Sequence, residues 1–235
     1  MTTTTRTRIF AVVAGLAVLA GIIAAVVSRG GPASPAPPGT RSQPPQVSSP
    51  AAAADTPVTP VTDVAGLRWV NDQGYLLPES AQAGPRVMSG GRASGFADTP
   101  LGALVAMINI AARTAWEFGP AVFQPTIDSQ VTGPYASEML SLDQDANGNA
   151  TGQAGGPYAR ITGYQWAGYT PSDATADLAE EGPVDGATVY AAIQIQAQWV
   201  NGDWRVVAPP GGDWANSATE IGSLNGYLTF PGQEG

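Results

Sequence analysis

Oxygen-bearing side chains at alternate positions make one short stretch match the start of a calcium-binding loop. Asp143, Asp145 and Asn147 would supply the oxygen donors, and Gly148 stands where such loops turn sharply. The twelfth position of the pattern is Ala154, so the bidentate glutamate that closes a calcium loop is missing. We therefore interpret the stretch as a polar turn, and the sequence predicts no metal site.

Carboxylates and tyrosines are the remaining side chains that could transfer protons in a pocket. The candidates of this kind are Asp98, Tyr158, Tyr164, Asp173 and Asp177. Their spacing singles out no acid–base pair, and tyrosines that alternate along a strand are typical of sheet packing. Glu180 and Glu181 stand directly before Gly182 and Pro183, so we interpret them as an exposed turn. The sequence predicts neither a catalytic residue nor a cofactor-binding residue.

Three missing residue types exclude most other catalytic designs. The chain has no cysteine, histidine or lysine, which excludes thiolate nucleophiles, disulfides, imidazole bases and lysine Schiff bases. The net charge is −9, and residues 61–235 hold six arginines against eighteen carboxylates. An acidic surface repels phosphate groups, so we expect no direct binding of nucleic acid. We also expect that the protein is not an enzyme.

The longest apolar stretch, Ile9–Val27, predicts a transmembrane helix. Its nineteen residues carry no charge and span about 28 Å as a helix, close to the hydrocarbon thickness of a bilayer. Because only a short tail precedes it and a large polar region follows, we expect the tail in the cytoplasm and the remainder outside the cell. The predicted divisions are a tail at 1–8, a membrane helix at 9–29, a linker at 30–62 and a globular domain at 63–235.

The alternatives to a membrane anchor are a cleaved signal peptide and a buried globular helix, and no stretch of the following linker could cover the latter. Arg6 and Arg8 also suit a secretory signal peptide, although the apolar core is longer than usual and no well-placed cleavage site follows. Ala17, Gly21 and Ala25 fall on one helix face, which would let a second membrane helix approach closely and would permit self-association. The partners that the sequence predicts are therefore the lipid bilayer, other proteins of a membrane complex and a second copy of the chain.

The linker at 30–62 is rich in proline, alanine, serine and threonine. It has no aromatic residue and few large aliphatic ones, so it has little to bury that would offset the entropy lost on ordering. We expect a disordered tether. Extended at about 3.1 Å per residue, it would reach roughly 100 Å from the membrane.

The helices of the domain are predicted from caps and periodicity. Thr99 followed by Pro100 is a typical helix start, and apolar residues recur at three- and four-residue spacing up to Phe118. This pattern predicts a core helix with a single buried face. The other predicted helices run from Pro120 to Val131, with an interruption at Pro125, and from Tyr135 to Leu142.

Strands are predicted after the helices. Apolar residues alternate with polar ones from Ala187 to Trp199, and Asn201-Gly202 is a favoured two-residue hairpin turn. The turn pairs Trp199 with Trp204 and places both tryptophans on one face. The other segments are a partly alternating strand at Pro157–Tyr169, a strand or irregular entry segment at Val64–Leu77, and a covering segment at 209–235.

Three motifs carry a resemblance to known proteins: Ser94–Leu104 (SGFADTPLGAL), Trp199–Pro210 (WVNGDWRVVAPP) and Gly211–Trp214 (GGDW). With these motifs, the chain resembles a family of actinobacterial single-pass membrane proteins associated with conjugative transfer. Its order of elements resembles the nuclear transport factor 2-like extracytoplasmic domains of conjugation and type IV secretion scaffold proteins. The resemblance implies an α+β cone, in which about three helices pack on a curved antiparallel sheet, and it implies a scaffold role without catalytic residues.

Three functional hypotheses follow from the sequence. The first is a membrane-anchored extracytoplasmic scaffold of a conjugation or secretion complex. The second is a small-ligand-binding protein of the cell envelope, or a pocket enzyme that uses carboxylates or tyrosines. The third is a structural protein of the cell envelope whose tether, rather than its domain, determines its role.

Overall fold

The computed structural model describes residues 56–150, 158–184 and 187–233. The predicted cytoplasmic tail, the predicted membrane helix and most of the predicted tether lie outside these residues. Across the described ranges, every helix is too short or too polar to cross a membrane. The described residues are therefore those of the predicted globular domain and the last residues of the linker before it.

The described chain contains three α-helices and eleven β-strands. The helices are α1 (Pro100–Arg113), α2 (Pro120–Gln130) and α3 (Ala136–Asn149). The strands are β1 (Arg68–Asp72), β2 (Tyr75–Glu79), β3 (Val87–Ser89), β4 (Arg92–Ser94), β5 (Val131–Thr132), β6 (Arg160–Tyr169), β7 (Asp173–Val184), β8 (Ala187–Val200), β9 (Asp203–Val207), β10 (Ala218–Ile221) and β11 (Leu228–Thr229).

One large sheet organises the domain. Its strands follow the order β11-β6-β7-β8-β9-β5, and β10 pairs with the first half of β8. All pairs are antiparallel except β5 with β9. Strands β1 and β2 form a separate hairpin, as do β3 and β4. The predicted α+β class, with three helices and a largely antiparallel sheet, is confirmed.

Helix α1 is the central element of the core. Its predicted start is confirmed, because the Thr99 hydroxyl accepts a hydrogen bond from the Gly102 amide at 3.0 Å. Every residue from Gly102 to Arg113 is buried, so the prediction of a single buried face is wrong. The sheet covers one side of the helix, while β2, β4 and α2 cover the others. The helix ends at Arg113, and a short 3-10 turn at Trp116–Phe118 follows.

Helix α2 is uninterrupted, contrary to the prediction, and helix α3 is longer than predicted. Helix α2 continues through Pro125 without interruption, because the carbonyl that proline leaves without an amide partner belongs to the exposed Ala121. Helix α3 continues past Leu142 to Asn149. The predicted polar turn at 143–148 is therefore wrong, because this polar stretch forms the mostly exposed last turns of a helix.

The hairpin of β8 and β9 forms in the predicted register. Trp199 faces Trp204, and the two rings meet edge to face with centroids 5.4 Å apart. Asn201 and Gly202 have φ angles of +55° and +84°, the left-handed conformation that a tight hairpin turn requires. Trp204 is fully buried, and its indole nitrogen donates to the Ala97 carbonyl at 2.8 Å.

Strand β7 was not predicted, and it occupies the middle of the sheet between β6 and β8. The predicted exposed turn at Glu180 and Glu181 is wrong, since both residues lie within this strand and Glu180 is fully buried. Gly182 and Pro183 continue the ladder with β8 instead of ending it. Small alanines on the core face of β7 hide the alternation that would otherwise indicate a strand.

The last residues of the predicted tether lie against the sheet. The backbone of Val58 exchanges two hydrogen bonds with that of Tyr169, at 3.0 and 2.9 Å. The Thr62 hydroxyl accepts a hydrogen bond from the indole nitrogen of Trp166 at 3.0 Å. The chain therefore enters the domain along the end of β6.

Large side chains fill the space between the helices and the sheet. The largest fully buried ones are Trp204, Tyr75, Tyr164, Phe96, Phe123, Leu104, Met107, Ile110, Met139 and Leu178. Tyr75 of the β1–β2 hairpin contacts Phe118 of the 3-10 turn in this interior, with ring centroids 4.9 Å apart. A close-packed core of this kind positions the surface sites described below.

Candidate functional site

Half of the described arginines have a carboxylate partner, and half do not. Arg113 contacts Asp72 at 2.8 Å, and the other pairs are Arg68 with Glu79 and Arg160 with Glu181. Arg86, Arg92 and Arg205 make no ion pair with any residue that the structure describes. This is unexpected in an acidic chain, where carboxylates outnumber arginines.

The three unpaired arginines lie where two hairpins meet. The carboxylate of Asp203, at the start of β9, accepts hydrogen bonds from the amides of Gly95 and Phe96 at 2.8 and 3.0 Å. These bonds hold the β8–β9 hairpin against the segment that follows β4. The guanidinium of Arg86 donates to the Gly95 carbonyl at 2.9 Å, so it lies beside the same junction.

Two exposed apolar side chains follow Arg86 on strand β3, which pairs with the strand that carries Arg92. Val87 is 51% exposed and Met88 is 52% exposed. Arginine and methionine are enriched where proteins bind other proteins. We call the set Arg86, Val87, Met88, Arg92 and Arg205 the arginine corner.

A polar cleft of about 190 Å³ opens between β4, the end of α2 and the β8–β9 turn. Arg92 and Arg205 line it together with Ser129 and Gln130. One terminal nitrogen of Arg92 donates to the Ser129 hydroxyl at 2.7 Å. The Gln130 amide nitrogen donates to the Ala93 carbonyl, also at 2.7 Å. These bonds fix both side chains on the cleft wall.

Two atoms of the cleft residues are buried without a hydrogen-bond partner among the described residues. They are Nε of Arg92, which is a donor, and Oε1 of Gln130, which is an acceptor. A buried polar group without a partner costs about 1–3 kcal/mol. Native proteins leave few such groups, and each calls for an explanation.

A second unusual group, Glu180, lies inside the core. Its neighbours across the strands are Ile161 and Ala191, and Leu178 precedes it on the same face of β7. Neither carboxyl oxygen has a partner within the described chain. Burial raises the pKa of Glu180 well above its ordinary value, because the core disfavours the charged carboxylate relative to the neutral acid.

A third group of carboxyls gathers near the 3-10 turn after α1. Burial raises the pKa of Asp143 to about 7, and the nearby charges of Glu117 and Asp213 add to this shift. The Trp116 amide donates a hydrogen bond to the Asp143 carboxylate at 3.1 Å, and this bond opposes the rise of the pKa. Burial also raises the pKa of Glu117 to about 7. Even so, no cluster in the described ranges has the three or more ligands that a metal ion would need.

The residues predicted as candidates for chemistry do not converge. Tyr164 faces the core, and its hydroxyl donates to the Thr62 carbonyl at 3.3 Å. Asp177 is on the opposite face of the sheet, where it accepts from Gln194 at 3.1 Å. Tyr158 stacks on Tyr75 with ring centroids 4.3 Å apart. The remaining two also lie apart from these: Asp173 accepts from Gln198, and Asp98 lies near Tyr169.

Alternating oxygen donors do not form a calcium loop either. Asp143, Asp145 and Asn147 lie on a helix, where residues two apart point in nearly opposite directions. Asp143 points inward and binds the Trp116 amide, while Asp145 is exposed. The calcium-like spacing is therefore unrelated to ion binding here.

Sequence reasoning missed Arg92, Gln130 and Arg205 because they come from β4, α2 and β9, far apart in the chain. The available signal was the scarcity of arginine in an acidic domain, which makes each unpaired arginine informative. That signal does not show which arginines have partners.

Comparison with known proteins gives one positive result. No curated protein and no solved structure matches the chain. Residues 30–229 match the family described as Domain of unknown function (DUF8175). The match covers the predicted tether as well as the folded domain. The chain therefore belongs to this family of domains of unknown function.

Proposed function

We propose that this protein is a non-catalytic scaffold whose folded domain binds another protein of a cell-envelope complex through the arginine corner. One observation carries the proposal: on a chain of net charge −9, three unpaired arginines and two exposed apolar side chains share one corner. Complementary charge steers partners together and rejects partners of the wrong sign. The partner is therefore expected to present an acidic, partly apolar surface.

The location in this proposal depends on the sequence. Ile9–Val27 would anchor the chain in the membrane, with the tail inside and the domain outside. The proline-rich segment after it would act as a spacer. The resemblance to the nuclear transport factor 2-like domains of conjugation and type IV secretion scaffolds gives this role its setting, and three helices packed on an antiparallel sheet support that resemblance.

Site-specific crosslinking tests the binding surface. A photoreactive amino acid in place of Met88 is expected to give a discrete crosslinked species in cells of the source organism. The same amino acid in place of Leu142, which is 45% exposed on α3, is the matched control and should give none. The Met88 crosslink should also weaken when Arg205→Glu reverses a charge of the arginine corner. Equal labelling at both positions would contradict the proposal.

Separate measurements test the setting. Carbonate-washed membranes should retain the full chain and release a variant that lacks residues 9–27. Deletion of the gene should lower the frequency of conjugative transfer if the complex is a transfer apparatus. Normal transfer, together with a full chain that washes off the membrane, would contradict the proposed setting.

A small-ligand pocket is the second candidate function. The observation that favours it is the pair Glu117 and Asp143, whose carboxyl pKa values near 7 suit proton transfer at neutral pH. If the pair serves only the fold, Asp143→Asn should leave the binding of the protein partner unchanged. Binding of a metabolite that both Glu117→Gln and Asp143→Asn abolish, with the fold intact, would favour the pocket instead.

A further inference from the structure

We infer that the cleft beside the β8–β9 turn binds a carboxylate together with a neighbouring amide N–H, the pair of groups found at a peptide's C-terminus or at an acidic side chain. The inference deepens the proposed function, because it rests on a protein partner at the arginine corner and names the chemistry that the partner presents there. Its evidence is the hydrogen-bonding state of Gln130, Arg92 and Arg205.

Gln130 provides an acceptor whose identity is fixed. Its side chain is anchored at the Ala93 carbonyl, which can only accept a hydrogen bond, so the atom that contacts it must be the amide nitrogen. The other terminal atom is therefore the oxygen. Gln130 is only 5% exposed, and this oxygen has no partner in the described part of the chain. The Gln130 oxygen is therefore available to accept a hydrogen bond from an N–H group of a ligand.

Arg92 and Arg205 provide the positive charge. One terminal nitrogen of Arg92 is occupied by Ser129, while its Nε is buried without a described partner. Arg205 lies on the same cleft and also lacks a carboxylate among the described residues. Guanidinium groups bind carboxylates with charge-assisted hydrogen bonds, which are roughly twice as strong as neutral ones. The positive charge of the two arginines therefore favours an anionic ligand.

The carboxylate that lines the same cleft already has hydrogen-bond partners. Asp203 accepts from the backbone amides of Gly95, Phe96 and Trp204, at 2.8, 3.0 and 3.0 Å. Three such bonds fix its orientation toward the backbone. The cleft therefore has a donor pair and an acceptor but no described internal group that satisfies them.

The size of the cleft suits a fragment of a peptide. Its volume of about 190 Å³ corresponds to roughly six water molecules. The unsatisfied atoms of Arg92 and Gln130 are buried from solvent, so the inference requires that the cleft wall opens slightly when the ligand binds. A carboxylate and the amide N–H of the same residue would satisfy the arginines and Gln130 at once.

Three small probes test this inference by nuclear magnetic resonance on the isotope-labelled full chain in detergent micelles. N-acetylalanine has a terminal carboxylate beside an amide, and N-acetylaspartate methylamide has a side-chain carboxylate. N-acetylalanine methylamide lacks any carboxylate. We expect the first or the second probe to shift the Arg92 Nε–H and Gly95 amide signals, and the third to leave them unchanged. Whichever of the first two probes binds with the higher affinity shows whether the site prefers a terminal or a side-chain carboxylate.

Two variants make the test specific. Arg205→Gln should weaken the binding of the active probe by about tenfold or more, as expected for the loss of a charge-assisted contact. Arg68→Gln is the matched control, because Arg68 is an exposed arginine on β1 and does not line this cleft, and it should have no effect. The inference would be overturned by equal shifts with N-acetylalanine methylamide or by no shift with any of the three probes at tens of millimolar. Unchanged affinity of the Arg205→Gln variant for the active probe would also overturn it.

The outcome separates this inference from the proposed function. A Met88 crosslink together with silent probes would mean that a partner binds the corner without a carboxylate in the cleft, which overturns the inference alone. Probe binding without a Met88 crosslink would support the carboxylate site and count against the scaffold proposal.

Discussion

Replacing Glu180 by glutamine should change how the stability of the domain depends on pH. Glu180 is 0% exposed, and its neighbours on adjacent strands, Ile161 and Ala191, offer no polar side chain. Burial raises the pKa of this carboxyl well above 4.5, so the folded chain holds a proton that the unfolded chain releases. Glutamine has nearly the same shape and does not titrate in this range.

The sign and size of the effect follow from proton linkage. Below pH of about 4.5 both states are protonated and Glu180 contributes no pH dependence. From there up to the raised pKa, the unfolded state binds fewer protons than the folded state, so the free energy of unfolding falls with rising pH. The slope is about 1.4 kcal/mol per pH unit. As the pH rises from 5 toward the raised pKa, Glu180→Gln should therefore gain about 1.4 kcal/mol per pH unit relative to the natural protein.

Urea unfolding at pH 5, 6 and 7, followed by tryptophan fluorescence of the full chain in detergent micelles, measures this difference. Glu181→Gln is the matched control, because Glu181 is the next residue on β7 and pairs with Arg160 on the other face of the sheet. The control should show the same pH profile as the natural protein. Parallel profiles for Glu180→Gln and the natural protein would refute the reasoning, since they would mean that Glu180 titrates normally.

Three further substitutions test the packing around α1. Arg113→Met should lower the free energy of unfolding by about 3–5 kcal/mol, because it leaves the buried Asn109 oxygen and the Asp72 carboxylate without their partner. The control Arg160→Met removes an exposed ion pair and should lower the free energy of unfolding by less than about 1 kcal/mol in the same urea titration. Gly102→Ala should lower the midpoint of thermal unfolding, because the added methyl group would lie 2.0 Å from the Ala97 carbonyl oxygen. The control Gly148→Ala lies on an open helix surface and should leave this midpoint unchanged or raise it. Thr99→Ala should cost about 1 kcal/mol through the lost cap, and equal stability of this variant would contradict the cap geometry.

Elements with strong local signals were predictable from the sequence. Thr99 and Pro100 place the start of α1, because a cap and an N1 proline act on the adjacent turn alone. Asn201 and Gly202 fix the register of β8 and β9 in the same way, since the turn geometry determines which residues face each other.

Elements that depend on tertiary packing were not predictable. Strand β7 is stabilised by neighbours on both sides, and Glu180 adopts a buried position that its residue type disfavours. The polar end of α3 remains helical, although its composition favours a turn, and Asp143 accepts the Trp116 amide there. The cleft arises only when β4, α2 and β9 meet, so spacing along the chain does not reveal it.

The central claim is that the arginine corner binds a protein partner by complementary charge. The most direct measurement is the yield of the Met88 crosslink in living cells, compared between the natural protein and a variant with both Arg92→Gln and Arg205→Gln. The account predicts that the variant loses most of the crosslinked species while its thermal midpoint stays within a few degrees. An undiminished crosslink in the variant, or no crosslink in the natural protein, would contradict the claim.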